Sequence, residues 1–367
     1  MPQLKIDIKK RDLILSSVSI GVLLVLLALA QEGVILDNYG LRVINLCFIY
    51  SMLGLSLNLI HGFTGQCSLG SGGFMAIGAY ATAILTLSPQ AKETMYYMEP
   101  ILPFLANIQM PYIFALLIGG LLAALAAVII GFPVFRLKGD YLSIATMGFA
   151  EIIRIVFVNA QGLTNGATGL KNISPVVNVW WTFGFLVLTI IFLSRLLKTS
   201  YGRAFKAIRS DEFAAEAIGI SLMSHKLKSF AISSFIAGIA GGLMASVVGA
   251  ITPALFKYNI ANDILLIVVL GGTCSITGSI LGGCIFIISK EALRFLDNGF
   301  SIGGITVPGI AGMRMVIFSV LLMVVVLFFR QGIMGTNEFS WDAILNFPRK
   351  IRGHLAARSR KNRGIEK

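Results

Sequence analysis

Residues 111–132 read PYIFALLIGGLLAALAAVIIGF, without one charged side chain. As a helix rising 1.5 Å per residue, such a run reaches about 33 Å, enough to cross a hydrocarbon core of about 30 Å. Nine further apolar segments follow the same pattern, at 13–30, 41–60, 70–88, 141–160, 179–197, 228–250, 262–280, 281–297 and 309–329. None alternates with period two, so a closed barrel is set aside and helices are expected. The expected fold is an all-α integral membrane protein of about ten transmembrane helices, with 262–297 readable as two short helices or one broken one. Only 13% of the residues are charged, about half the share in soluble domains.

The net charge of +13 raises nucleic acid as a partner, but the placement of the cations argues for a membrane surface. With the N-terminus inside and spans alternating, 22 of the 30 lysines and arginines fall on the cytoplasmic side. They lie before the first span, in 133–140, across the central loop and in the tail. Outside stand Lys92, Lys171 and Lys257, with Arg42 at a helix edge. That asymmetry orients the chain with both termini cytoplasmic. The first apolar run ends in ALAQ, which resembles a cleavage site, but its length exceeds a signal core and a retained helix is expected. The organisation is then a cytoplasmic N-terminus (1–12), a polytopic body (13–330) with a cytoplasmic loop at 198–227, and a basic tail (331–367).

No stretch is long enough for a soluble catalytic domain. GxxxxGK[ST], HExxH and GxSxG are all absent, so neither a nucleotide site nor a hydrolytic one is indicated. His61, His225 and His354 are scattered, and Cys47, Cys67, Cys274 and Cys284 sit in or beside apolar runs without metal-site spacing. The cysteines read as small buried residues. No catalytic residue, metal or cofactor is expected.

Two glycine-rich stretches break the apolar pattern, GFTGQCSLGSGGFMAIGAY at 62–80 and GGTCSITGSILGG at 271–283. Glycine at this density serves close helix packing or marks a broken or re-entrant segment lining a polar path. Several charges fall inside spans: Glu151 with Arg154, Glu291 with Arg294, and Arg314 alone. The first two couples have i, i+3 spacing and can pair along one helix face. Pairing would lower the cost of insertion, whereas a substrate or proton site would need the acids free. An outer loop, GLTNGATGLKN at 162–172, reads as turns.

The most unusual stretch is YGRAFKAIRSDEFAAEAIGI, residues 201–220, a charged amphipathic segment inside an apolar chain. It fits one helix or a pair, stopped by Gly219. Such an element lies on headgroups or docks in the groove of a cytoplasmic partner.

This stretch resembles the cytoplasmic coupling motif of permeases in ATP-binding-cassette importers, most closely the branched-chain amino-acid permease family of the LivM type. GFTGQCSLGSGGFMAIGAYATAIL, FRLKGDYLSIATMGFAEIIR, LTNGATGL and PGIAGMRMVIFSVLLMVVVLFFRQGIMG fit the same family in order, from about residue 40 to 335. Arg330-Gln331 stands where members often carry Arg-Pro. The resemblance implies a helical permease paired with a second homologous permease, two cytoplasmic ATPases and an extracytoplasmic substrate-binding protein. It implies a coupling role for Glu216, Ala217 and Gly219, with Arg203, Arg209 and Asp211 flanking. It also implies a pathway along Gly65, Ser68, Gly70, Gly73 and Phe74. Leucine, isoleucine and valine are the implied substrates, with urea and short amides as the alternative. An ion-coupled carrier is the rival class, and it would need an ion site built from Asp263, Asp297 or the two glutamates.

Overall fold

The computed structural model describes residues 21–22, 24–32, 37–96, 99–137, 139–294, 300–302, 305–307, 312–328, 332–335 and 338. The chain forms two compact units, one of Met1–Asp37 with Glu338–Lys367 and one of Asn38–Asn337. In the first, residues 24–31 are helical. The second carries everything that follows.

Its elements are α1 (Asn38–Asn58, prolonged by a π-turn Leu59–Phe63), α2 (Ser71–Thr86), α3 (Pro89–Met95), α4 (Tyr112–Val134), α5 (Asp140–Asn159), α6 (Val179–Leu196), α7 (Ser200–Ser210), α8 (Glu212–Ala217), α9 (Leu222–Val248), α10 (Tyr258–Gly271), α11 (Ile276–Ala292) and α12 (Met313–Phe328). A short antiparallel hairpin, β1 (Phe300–Ile302) with β2 (Ile305–Val307), precedes α12. Among the described residues five helices are long and apolar enough to cross a membrane: α1 with its π-turn, α4, α5, α6 and α9. Taking α2 and α3, bent by 116° at Leu87–Ser88, as one broken span makes six. At 16 and 14 residues, α2 and α10 reach only about 24 and 21 Å, short of the core thickness.

The centre is α9, which packs on α1, α2 and α4 through small residues. Gly238 fits so closely that an added Cβ would lie 2.7 Å from Ala123 Cβ and 3.0 Å from Gly120 Cα. In lipid no hydrophobic force separates helix from tail, so contact of this kind supplies the packing. Hydroxyls add cross-links: Ser56 Oγ donates to Ser233 O (2.8 Å) and Ser233 Oγ to Ser56 O (2.7 Å). Thr182 Oγ1 donates to Asn45 Oδ1 at 2.6 Å, joining α6 to α1. The ring of Phe74 meets Phe230 edge-on at 5.2 Å, and Phe230 meets Phe135 in the same way.

Outside the spans, the segment from α3 to α4 is braced by Lys92. Its side chain is buried, and Nζ donates to Leu105 O (2.9 Å) and Ile108 O (2.6 Å). Burial holds its ammonium below the ordinary lysine value. The loop at 162–172 is tied down by a bridge between Leu170 and Ile251, with N–H···O distances of 2.9 and 2.8 Å.

Candidate translocation and coupling site

Both glycine-rich stretches are breaks in helices. The first, Thr64–Gly70, is an unwound segment between the π-turn of α1 and the start of α2. It is irregular chain, with helical backbone at Thr64 and Gly70 and positive φ at Gly65. Ser143 Oγ of α5 donates to Cys67 O at 2.9 Å, and Leu69 N donates to Thr146 Oγ1 at 3.0 Å. Higher up, a Cβ on Gly70 would lie 3.2 Å from Thr146 O, and one on Gly73 would lie 2.8 Å from Ala150 Cα. Positions 143, 146 and 150 form one stripe on α5, rising about 10 Å. The unwound segment therefore ascends along α5, and α2 begins partway up it. There Gly72 faces the first turn of α10, with its Cβ position 2.9 Å from Ile260 Cγ2.

Unpaired backbone at membrane depth is costly, so such a segment persists only when other groups satisfy it. The α5 hydroxyls do part of this, and Gln66 N donates to Ile60 O at 3.0 Å. Ser68 is buried, and its Oγ accepts from Gly70 N at 3.4 Å. The Gln66 side chain is buried with neither amide atom hydrogen-bonded among the described residues.

The second break, Gly272–Ser275, separates α10 from α11 and divides 258–292 into two short helices. The division falls at the glycines, not at 280–281 as the apolar pattern alone places it. Gly272 and Cys274 both have positive φ, +113° and +74°. Ser275 caps α11, accepting from Gly278 N at 3.0 Å. Ile333 N and Met334 N close the last carbonyls of α10, at 2.8 and 3.1 Å.

The second break is fastened to the end of α1 by Asn58, a fully buried residue. Its Oδ1 accepts from Cys274 N (3.0 Å), and its Nδ2 donates to Ser275 O (2.9 Å) and Ser279 Oγ (2.7 Å). Cys274 Sγ donates to Gly62 O at 2.8 Å. The reading of Cys274 as a small buried apolar residue is thereby corrected: it is half-buried, left-handed and hydrogen-bonded.

The polar stretch at 201–220 forms a helix pair. α7 buries Gly202, Ala204, Phe205 and Ile208, and Asp211 is extended and caps α8, accepting from Phe213 N (2.8 Å) and Ala214 N (3.1 Å). Gly219, at φ +88°, ends α8 in a Schellman turn, with Ile220 N bonded to Ala215 O at 3.0 Å and Gly219 N to Glu216 O at 2.9 Å. Arg203 stays local, donating to Ser200 Oγ at 3.0 Å and Lys198 O at 3.4 Å. Glu216 and Ala217 are exposed, as are Phe213 and Ile218, at 76% and 75%. Lys226 joins α8 to α9 through Glu212 at 2.7 Å.

Arg209 turns the other way, toward the breaks. A Cβ on Gly65 would lie 3.0 Å from Arg209 Cγ and 3.1 Å from its Cα, and its guanidinium is hydrogen-bonded to Cys274 Sγ. The structure thus brings Arg209 and Gly65 together. Phe74 packs on Phe230 of α9, and its ring also lies beside Gly70, 3.3 Å from where a Cβ there would sit.

The charges inside spans are paired. Arg154 Nε donates to Glu151 Oε1 at 2.8 Å, and Arg294 Nη1 reaches Glu291 Oε1 at 3.1 Å and Tyr39 OH at 2.9 Å. Asp263 pairs with Lys290 across α10 and α11 at 2.9 Å, an ion pair not apparent in the sequence. Arg314 falls within α12 with its side chain outside the described residues, and Asp297 lies outside the described residues altogether. No group of three His, Cys, Asp or Glu side chains able to hold a metal occurs among the described residues. Sequence reasoning missed Asn58, Ser143, Thr146 and Phe213. The stripe of small and hydroxyl residues at 143, 146 and 150 was the available signal.

Comparison with known proteins follows the same lines. Residues 39–329 match the family described as the permease component of a branched-chain amino acid transport system. The high-affinity branched-chain amino acid transport system permease protein LivM of Escherichia coli (strain K12) is 34% identical over 307 residues, covering 74% of this chain and 68% of that protein. A probable branched-chain amino acid transport permease protein LivM of Methanocaldococcus jannaschii is 28% identical over 270 residues, covering 67% of this chain and 78% of that one. The ribose import permease protein RbsC of Haemophilus influenzae is 26% identical over 196 residues, covering 50% and 59%. No solved structure matches at a significant level.

Proposed function

We propose, from the premise that this chain belongs to the branched-chain amino acid permease family, that it is the membrane permease subunit of an ATP-driven importer for leucine, isoleucine and valine. It is a multi-pass membrane transport subunit and not an enzyme. ATP hydrolysis belongs to partner ATPases, and substrate capture to a binding protein outside the membrane. In the fuller reading, ten helical segments cross or enter the bilayer, both termini are cytoplasmic, and two ATPases and a second homologous permease complete the assembly.

One observation carries this reading: an exposed, charged helix pair bears directly on an unwound segment between apolar helices, with Arg209 over Gly65. The exposed face of α8, with Phe213, Glu216 and Ile218, is the docking surface for an ATPase, combining two apolar anchors with charge. Arg203, Asp211, Ala217 and Gly219 shape that surface. Gly65, Ser68, Gly70 and Gly73 line the path, where α5 and the unwound segment run side by side. Phe74 anchors the start of α2. The pairing of Glu151, Glu291 and Asp263 with cations weighs against an ion-coupled carrier, which needs available carboxylates.

The test is purification of the C-terminally tagged chain from its host in mild detergent, followed by reconstitution. Co-purification of an ATPase and a second permease, with leucine uptake that needs ATP and survives an ionophore, is the expected result. Uptake abolished by the ionophore defeats the proposal. Glu216→Lys is expected to leave the chain in the membrane and to suppress uptake.

A further inference from the structure

The helix pair at 200–217 and the two chain breaks are usually three separate features of a sequence; here they share one node. Cys274 Sγ accepts from the Arg209 guanidinium and donates to Gly62 O. Asn58 then ties Cys274 N, Ser275 O and Ser279 Oγ to α1. Four pieces of chain thus meet within hydrogen-bond reach: the end of α1, the foot of the unwound segment, the break before α11, and the last turn of α7. Three of them are interlinked by backbone groups and buried side chains. The fourth, α7, joins through Arg209, by its guanidinium on Cys274 and its close contact with Gly65.

We propose that Arg209 is the positioning residue through which displacement of the cytoplasmic helix pair reaches both chain breaks at once, with Cys274 and Asn58 as the clamp that fastens the short break to the end of α1. The inference rests on the importer reading above. Its physical basis is threefold. Arg209 lies in the last turn of α7, two residues before Asp211, the one extended residue between α7 and α8, so a push on α8 is delivered close to its backbone. Cys274 is held in a left-handed conformation that a non-glycine residue adopts at a cost, and its hydrogen bonds supply the compensation. Withdrawing the guanidinium removes one of those bonds and frees the break to relax. A cavity of about 490 Å³ lined by Phe63, Lys206, Arg209, Ser210 and Cys274 gives the side chain room to leave. The clamp also explains the glycine at the end of α1: a Cβ at Gly62 would overlap Asn58 Oδ1.

The test uses the whole importer in lipid vesicles and reads leucine taken up per ATP hydrolysed. Arg209→Gln is expected to lower that ratio about tenfold, the equivalent of losing one charge-assisted hydrogen bond. Arg209→Lys recovers part of it. Cys274→Ala lowers it similarly, and the double variant is no worse than either single, because both sever one link. An unchanged ratio in Arg209→Gln, or effects that multiply in the double variant, overturns the proposal. A second measurement guards against misfolded variants. With Cys47, Cys67 and Cys284 replaced by alanine and Arg209 intact, maleimide labelling of Cys274 is expected to differ by at least about fivefold between the nucleotide-free and the vanadate-trapped importer. Equal rates overturn the clamp. This labelling needs no knowledge of the substrate, so a failure of leucine uptake in the unaltered importer would count against the substrate assignment alone.

Discussion

The two breaks look alike in sequence and are built differently. Thr64–Gly70 is long, and its upper half is stitched to α5 by two side-chain hydroxyls. Gly272–Ser275 is short, and its polar groups are closed by Asn58 and by its own cap. The supporting helices differ as well. Along its membrane window α1 is 78% buried, and α5 only 11%. The short break is therefore anchored on the most enclosed helix, and the long one leans on the least enclosed. A segment held by few contacts opens at lower free energy than one locked in a core. Glycine-rich composition thus serves a break clamped to an enclosed helix in one place and a break leaning on an exposed helix in the other.

The largest effect expected from this contrast is at the foot of the long break. Gly65 has φ +76° and sits against Arg209. Gly65→Val adds a β-branched side chain to a left-handed position and drives it into the Arg209 backbone, so uptake is expected to fall at least about tenfold. Gly148→Val on α5, where nothing lies within 4 Å, serves as the control and is expected to keep uptake near normal. Equal losses in both would mean that glycine matters here only for general packing.

Further up, Gly73→Leu meets Ala150 Cα, a backbone atom that cannot step aside. Overpacking of this kind costs about 1–3 kcal/mol, and here it would wedge α2 from α5. Transport is expected to stop with the ATPases still bound, as measured by uptake and by pull-down. Loss of the whole complex would place Gly73 in the fixed framework instead.

Much of this architecture was legible beforehand. The apolar runs place α4, α5 and α6 within a few residues, because a charge-free stretch of that length has few alternatives. Gly219 as a helix stop, and the i, i+3 pairing of Glu151 with Arg154, follow from local geometry alone. The node could not be read. Asn58, Arg209 and Cys274 are separated by more than sixty residues each, and nothing local marks a thiol as a ligand for a guanidinium. Periodicity finds faces and lengths, but it does not say which faces meet. For the same reason the apolar pattern divides 262–297 at 280–281: hydropathy averages across Gly272–Ser275, while positive φ at Gly272 and Cys274 ends the helix there.

A subtler probe separates the two breaks by what holds each. Thr146→Val keeps the shape of the side chain and removes the hydroxyl that accepts from Leu69 N. Leaving that half-buried N–H unpaired costs up to about 1–3 kcal/mol. Hydrogen exchange across 64–70 is expected to accelerate, with 272–275 unchanged. Acceleration in both would show that the long break is not independently held by α5.

The smallest effect belongs to the short break. Ser275→Ala removes the cap on α11, which costs about 1 kcal/mol. Faster exchange is expected at 276–279 alone, because Asn58 still holds Cys274 N and Ser275 O in place. Asn58→Ala is the companion, and it is expected to loosen 272–275 together with the foot of the long break at 62–65. The two variants then give a pattern that composition cannot mimic: one local loss, and one shared loss that spreads only as far as the clamp reaches. If Ser275→Ala alone loosened the long break, the short break would be its support and not a joint fixed on α1. The contrast between the two would then reduce to a difference in length.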